Sequence, residues 1–224
     1  MNKVFFVLLL IASIAVSIAY QRKVTKDLLN RLYKYKKERN RQAFMELANS
    51  PIMKIVFSKF NVELMKLNYD LDFGNYDDAK HQFEKFNGMR LNDQNKLALN
   101  LRMFHSALEA KDYSLAGAIK EVLIPILKKK QDQQSKLLLG EVIQLDKIYL
   151  QKDVSLIDEL KDALEESKDD GIKNLLCFRI AKLYHFSQDE GQVDIYLKQA
   201  LKYACNEENK RSLEALIKDH KGLD

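Results

Sequence analysis

Apolar side chains recur along this chain every three or four residues, and charged side chains fill the positions between them. Leu101, Phe104 and Leu108 show the spacing, as do Phe178, Ala181 and Tyr184, and Val193, Leu197, Ala200 and Leu201. Such spacing puts one apolar stripe on each of a succession of helices. No alternating β-branched run persists long enough to predict a strand. The pattern predicts helices over 4–37, 40–48, 51–73, 76–86, 94–110, 113–129, 132–150, 154–167, 171–187, 190–204 and 207–219. Pro51, after Ser50, reads as a first helical residue. Pro125 is expected to kink or stop its helix. Seven glycines and two prolines in 224 residues are few breakers for such a length. The expected fold class is all-α.

One local pattern returns between these helices. Gly74-Asn75-Tyr76-Asp77-Asp78-Ala79 reads as a tight turn: Gly74 supplies the positive φ that ends one helix, Asn75 or Asp77 caps the next, and Ala79 lets the two approach closely. Lys111-Asp112-Tyr113-Ser114-Leu115-Ala116, Lys152-Asp153-Val154-Ser155-Leu156-Ile157 and Gln188-Asp189-Glu190-Gly191-Gln192-Val193 repeat the form downstream. Glu38-Arg39-Asn40-Arg41-Gln42-Ala43 repeats it upstream, so five marks stand 36 to 41 residues apart. A period of that length points to helical-hairpin repeats.

The turn at Gly74–Ala79 resembles the inter-helix turn of a tetratricopeptide repeat. Ile180-Ala181-Lys182-Leu183-Tyr184, through Val193, Leu197 and Ala200, is similar to that repeat's order of small, aromatic and bulky positions. The resemblance covers roughly residues 60–205, with a weaker unit at 22–50. The chain departs from the family in having no Trp, no Trp-Leu-Gly in any first helix, variable spacing and no terminal Pro in a repeat. The resemblance implies a divergent tetratricopeptide-like solenoid of about four to five hairpins, closed by a capping helix that carries Leu213, Leu216 and Ile217 on one face. It further implies a concave groove lined by the first helix of each pair. Asn68 and Leu71, His105 and Leu108, Asp146 and Tyr149, and Lys182 and His185 would point into it, with Arg102 and Arg179 at its edge. A groove of that kind suits an extended or helical peptide, or a protein surface.

The N-terminus changes the picture. No charged residue occurs from Val4 to Gln21. As a helix, 18 residues span about 27 Å, close to the thickness of a bilayer's hydrocarbon core. Tyr20 sits where an interfacial aromatic belongs. Residues 22–41 then hold nine Lys and Arg against two acids, a net of +7. The chain's total is +5, so everything else sums to −2. Basic residues behind the apolar run place residues 22 onward in the cytoplasm and the N-terminus outside, as a single-pass anchor. The alternative is a signal peptide cut after Ser17-Ile18-Ala19, which would export the domain. The expected organisation is an anchor (or signal peptide) at 1–21, a basic juxtamembrane helical segment at 22–50 and a repeat domain at 51–224. Arg22, Lys23 and Lys26 are the candidate contacts to lipid headgroups.

Composition and motifs narrow the chemistry. Hydrophobic residues make up 46% and charged residues 31%, which speaks against disorder. With its basic charge confined to one segment, the globular part does not read as a nucleic-acid binder. His81, His105, His185 and His220 show no metal-ligand spacing with one another or with a cysteine. No phosphate loop, nucleophile elbow or His-Glu-x-x-His occurs. Glu165, Glu166, Asp169 and Asp170 read as a helix end and its loop. No cofactor, metal or small-molecule substrate is expected, and the chain is not read as an enzyme. Cys177 and Cys205 are expected at neighbouring ends of the last hairpin, as thiols in the cytoplasm or as a bridge if exported. The expected function is a membrane-anchored adaptor that binds a protein or peptide.

Overall fold

A computed structural model describes residues 3–223, with side chains from residue 19 onward. All regular structure among the described residues is helical. The helices are α1 (Lys3–Lys37), α2 (Arg41–Asn49), α3 (Pro51–Val56), α4 (Lys59–Asp72), α5 (Tyr76–Glu84), α6 (Asp93–Glu109), α7 (Tyr113–Lys129), α8 (Gln133–Leu145), α9 (Ile157–Glu166), α10 (Asp170–Phe186), α11 (Glu190–Lys202) and α12 (Glu207–Lys218). A π turn, Asp146–Leu150, continues α8, and a 3-10 turn, His220–Leu223, follows α12. The predicted span 4–21 lies in the first part of α1, but the side chains of residues up to 18 are outside the described residues. Among the described residues no helix is long and apolar enough to cross a membrane.

The turns are where local sequence decides most. Arg39, Gly74, Lys111, Lys152 and Gln188 all take positive φ, between 53° and 72°. Each is followed at once by Asn or Asp: Asn40, Asn75, Asp112, Asp153 and Asp189. In four of the turns this Asn or Asp donates its backbone N–H five residues back, as from Asn75 to the Asp70 carbonyl at 2.8 Å and from Asp112 to the Ala107 carbonyl at 2.8 Å. The residue before it donates three back, as from Gly74 to the Leu71 carbonyl at 3.2 Å. This is the Schellman closure of a helix. The same Asn or Asp then opens the next helix. Asn40, Asp112, Asp153 and Asp189 accept the N–H of Ala43, Leu115, Ser155 and Gln192, whereas Asn75 makes no such side-chain bond. One residue thus satisfies orphan groups on both sides of the turn. The remaining turn, the fourth along the chain, is wider. Asp153 reaches six residues back, to the Lys147 carbonyl at 2.9 Å, because α8 ends in the π turn.

Ala79, Ala116 and Val193, the predicted close-approach positions, are fully buried. The other two marks are displaced by one residue. Phe44, not Ala43, is buried after the first turn, since the positive φ falls on Arg39. Leu156, not Ile157, is buried after the fourth, where a 3-10 turn precedes α9.

One expected helix needs correction, and of the kink or stop expected at Pro125 the stop does not occur. The helix predicted over 51–73 is two helices. Phe57 and Ser58 are extended, and the Ser58 hydroxyl accepts the Asn61 N–H at 3.2 Å to start α4. Pro125 neither stops nor terminates α7, which runs on to Lys129. Pro125 and Glu121 are both exposed, so the carbonyl deprived of its N–H partner meets water. Leu123, Ile126 and Leu127, all buried, hold the helix on the opposite side.

The chain divides into two compact units, Met1–Ser106 and Ala107–Asp224, with the division inside α6. In the first, α2 packs on α1 and α4, α3 on α1 and α4, and α5 on α4. Leu28 and Leu32 of α1 share one core with Phe44, Leu47 and Ala48 of α2, Met53 of α3, and Val62 and Tyr69 of α4. The basic segment 22–50 is therefore part of this globular unit. In the second unit α7 packs on α8, α10 on both α9 and α11, and α11 on α12. Its core runs from Ile148, Leu160 and Ile180 to Cys177, Val193, Leu197 and Leu213. The predicted capping helix is α12, with Leu213 buried and Leu216 and Ile217 packed beside it.

Candidate partner-binding site

The ten groove candidates fall in both units and have unlike surroundings. In the first unit Asn68 and Leu71, on α4, are half-buried; Arg102, on α6, is exposed and His105 half-buried. Arg102 is ion-paired with Asp72, whose other oxygen takes the Lys36 ammonium at 2.5 Å. Asp72 therefore ties α1, α4 and α6 together. Two residues earlier, buried Asp70 accepts Arg41 Nε at 2.7 Å, and Arg41 also reaches Asp78 at 3.0 Å. This clasp spans the first two repeated turns.

In the second unit the expectation of an open face fails for four residues. Leu108, Asp146, Arg179 and Lys182 are buried, with exposures of 5%, 7%, 7% and 4%. Leu108 is a core residue. Asp146 opens the π turn, which packs on α7 and α10. Its carboxylate accepts Lys120 Nζ at 3.0 Å and Gln151 Nε2 at 2.6 Å, and this bond raises the Lys120 pKa. A buried charge needs such partners. Arg179 donates to Gln144 and lies 3.4 Å from Glu141 on α8. Burial pulls its pKa down, against the pull of Glu141. Lys182 is enclosed by rings: its Nζ lies 4.7 Å from the Tyr149 ring centre and 5.3 Å from that of Phe186, and it donates to the Leu223 carbonyl. Aromatic faces and a carbonyl stabilise an ammonium that has left water. Tyr149 and His185 stay half-buried, and burial raises the Tyr149 pKa.

The 3-10 turn after α12 is what covers Lys182. Leu223 is fully buried, and His220 holds the turn by pairing with Glu190 and with Asp194, the latter at 3.1 Å. His185 Nδ1 is 3.6 Å from Glu190 as well. Burial draws the His220 pKa down, but the two carboxylate bonds outweigh it, so the net shift is upward. Phe186 was legible as a partner of Lys182, being one helical turn away. Leu223 carried no such signal, because a contact over 41 residues depends on how the chain folds back.

Cys177 and Cys205 are both free thiols, the first buried and the second exposed. Burial pushes the Cys177 pKa up to about 11. Among the described residues no group of His, Cys, Asp and Glu is arranged to hold a metal ion. Arg22, Lys23 and Lys26, the lipid-contact candidates, are all exposed on α1. No family model matches the chain, and neither a curated protein nor a solved structure matches it.

Proposed function

We propose that this chain is a membrane-tethered, non-catalytic adaptor, a divergent tetratricopeptide-like array of helical hairpins that holds a protein or peptide partner on the cytoplasmic side. The observation that supports the reading is the recurring turn. At each of five hairpins a positive-φ residue is followed by an Asn or Asp at the start of the next helix. Repeated units of that kind build extended faces suited to binding rather than a closed catalytic cleft. Each unit contributes its own, smaller set of surface candidates. Asn68, Leu71, Arg102 and His105 offer themselves in the first unit, and Tyr149 and His185 in the second. Leu108, Asp146, Arg179 and Lys182 act as internal supports. A tether would confine the domain to a surface and raise its effective concentration towards partners held there.

The test is site-directed photo-cross-linking of the full chain in its own membranes, with the reactive side chain placed at Asn68, Tyr149 or Leu137. Leu137 is exposed on α8 and was not among the groove candidates. Capture of a defined partner from position 68 or 149 and not from 137, with capture from position 68 abolished by Arg102→Glu, is the expected result. Identical capture from all three positions would remove the hairpin faces from the proposal.

A further inference from the structure

An open cavity of about 790 Å³ lies between α1 and α3. Val24 and Leu29 of α1 line it with Ile52, Ile55 and Val56 of α3. Arg22 and Lys26 line it too, and Tyr20 stands at its end. α3 is only six residues long and is held by Met53, which is fully buried in the core. Ile52 and Ile55 are three apart and share a different face. Ile55 is 84% exposed, Tyr20 69% and Ile52 43%. Water contact over that much adjoining apolar surface is unfavourable and marks an interaction site. The two charged side chains that line it, Arg22 and Lys26, are both basic. Arg22, Lys23, Lys26 and Lys54 are all exposed, with Asp27 the one acid between Tyr20 and Asn30.

We infer that this cavity is a binding site for anionic phospholipid, and that α3 is a second membrane contact beside α1. The acyl region lies against Ile52 and Ile55 of α3, and the phosphate lies by Arg22 and Lys26 of α1. The inference rests on the reading of 4–21 as an anchor. Two observations favour a lipid over a protein as the occupant. First, α1 is one unbroken helix from Lys3 to Lys37. At 1.5 Å per residue, Tyr20 to Lys26 occupies about 9 Å of helix directly after the charge-free run, enough to cross a headgroup layer of about 5–8 Å. Second, apolar and cationic side chains line the same cavity, which matches the boundary between acyl chains and phosphate.

The chain contains no tryptophan, so Ile55→Trp installs a single reporter at an exposed position. Full-length protein carrying it is reconstituted into vesicles with brominated acyl chains, made of phosphatidylcholine alone or mixed with phosphatidylglycerol. Leu137→Trp in the same chain is the remote control, and circular dichroism checks that each variant is folded. Flotation with the vesicles reads the anchor separately. The expected result is quenching and a blue shift at position 55, stronger on the anionic vesicles, with position 137 unaffected. Changing Arg22 and Lys26 to Ala should weaken the lipid contact roughly fivefold per residue removed. Protein that floats while position 55 stays unquenched overturns the inference and leaves the anchor standing. Quenching equal at 55 and 137, or independent of lipid charge, overturns it as well. Failure to float removes the anchor reading and this inference together.

Discussion

Gly74 and Gly140 have nothing within 4 Å of where a Cβ would stand, yet their environments oppose each other. Gly74 has φ 72°, a conformation that side chains resist, whereas Gly140 is an exposed residue inside α8. Neither substitution by Ala would clash, so backbone preference alone decides the sign. Gly74→Ala is expected to destabilise the fold by about 1 kcal/mol, since a Cβ in the left-handed region is strained. Gly140→Ala is expected to stabilise it by about 0.5–1 kcal/mol through helix propensity. Urea midpoints of the two variants check this, and shifts of the same sign would contradict it. Arg39, Lys111, Lys152 and Gln188 already bear the cost that Gly74 avoids. They persist because the following Asn or Asp closes the turn on both sides, each cap being worth about 1 kcal/mol.

The element most open to a change of conditions is the 3-10 turn His220–Leu223. It is held by Glu190 and Asp194 on α11, and by Lys182 on α10, which binds its last carbonyl. The carboxylates lift the His220 pKa above its ordinary 6.5. The protonated form is therefore favoured in the folded state. Its stabilisation is fully present below the ordinary value and is lost as pH rises through the raised one. Amide exchange across 219–223, corrected for intrinsic rates, should accelerate a few-fold between about pH 6 and about pH 9. His220→Gln should flatten that dependence. A wild-type profile as flat as the variant's would show that the turn does not depend on the histidine charge. Loss of the turn would also uncover Lys182, the one groove candidate that the C-terminal segment covers.

At the scale of the whole molecule, the basic segment after residue 21 has two roles that the charge count alone does not separate. Its outward residues carry the excess charge, and its inward ones, Leu28 and Leu32, belong to the first unit's core. A chain lacking residues 1–21 should therefore keep its helical signal per residue. It should lose flotation with neutral vesicles and retain only weak, salt-sensitive attachment to anionic ones. Flotation unchanged by the deletion would place the attachment elsewhere. Truncation inside 22–50 should instead unfold the first unit, because it removes Leu28, Leu32, Phe44 or Leu47 from a shared core.

Helix identity, and the places where helices end, were settled by local chemistry. Spaced apolar residues, Asn or Asp caps and scarce breakers act within a few residues, so they are readable in the chain and predicted an all-α protein with a turn at each mark. Ser58, a cap within a predicted helix, was equally local but was masked by the apolar pattern on either side. Which side of a helix meets water is a different matter. The tetratricopeptide resemblance implied a groove lined by Asp146 and Lys182, with Arg179 at its edge. Lys120, Gln144 and the turn ending at Leu223 enclose them. Those partners lie 26, 35 and 41 residues away in sequence. Periodicity orders a helix's faces but cannot say what lies across from them, because burial depends on contacts that form only when distant segments pack.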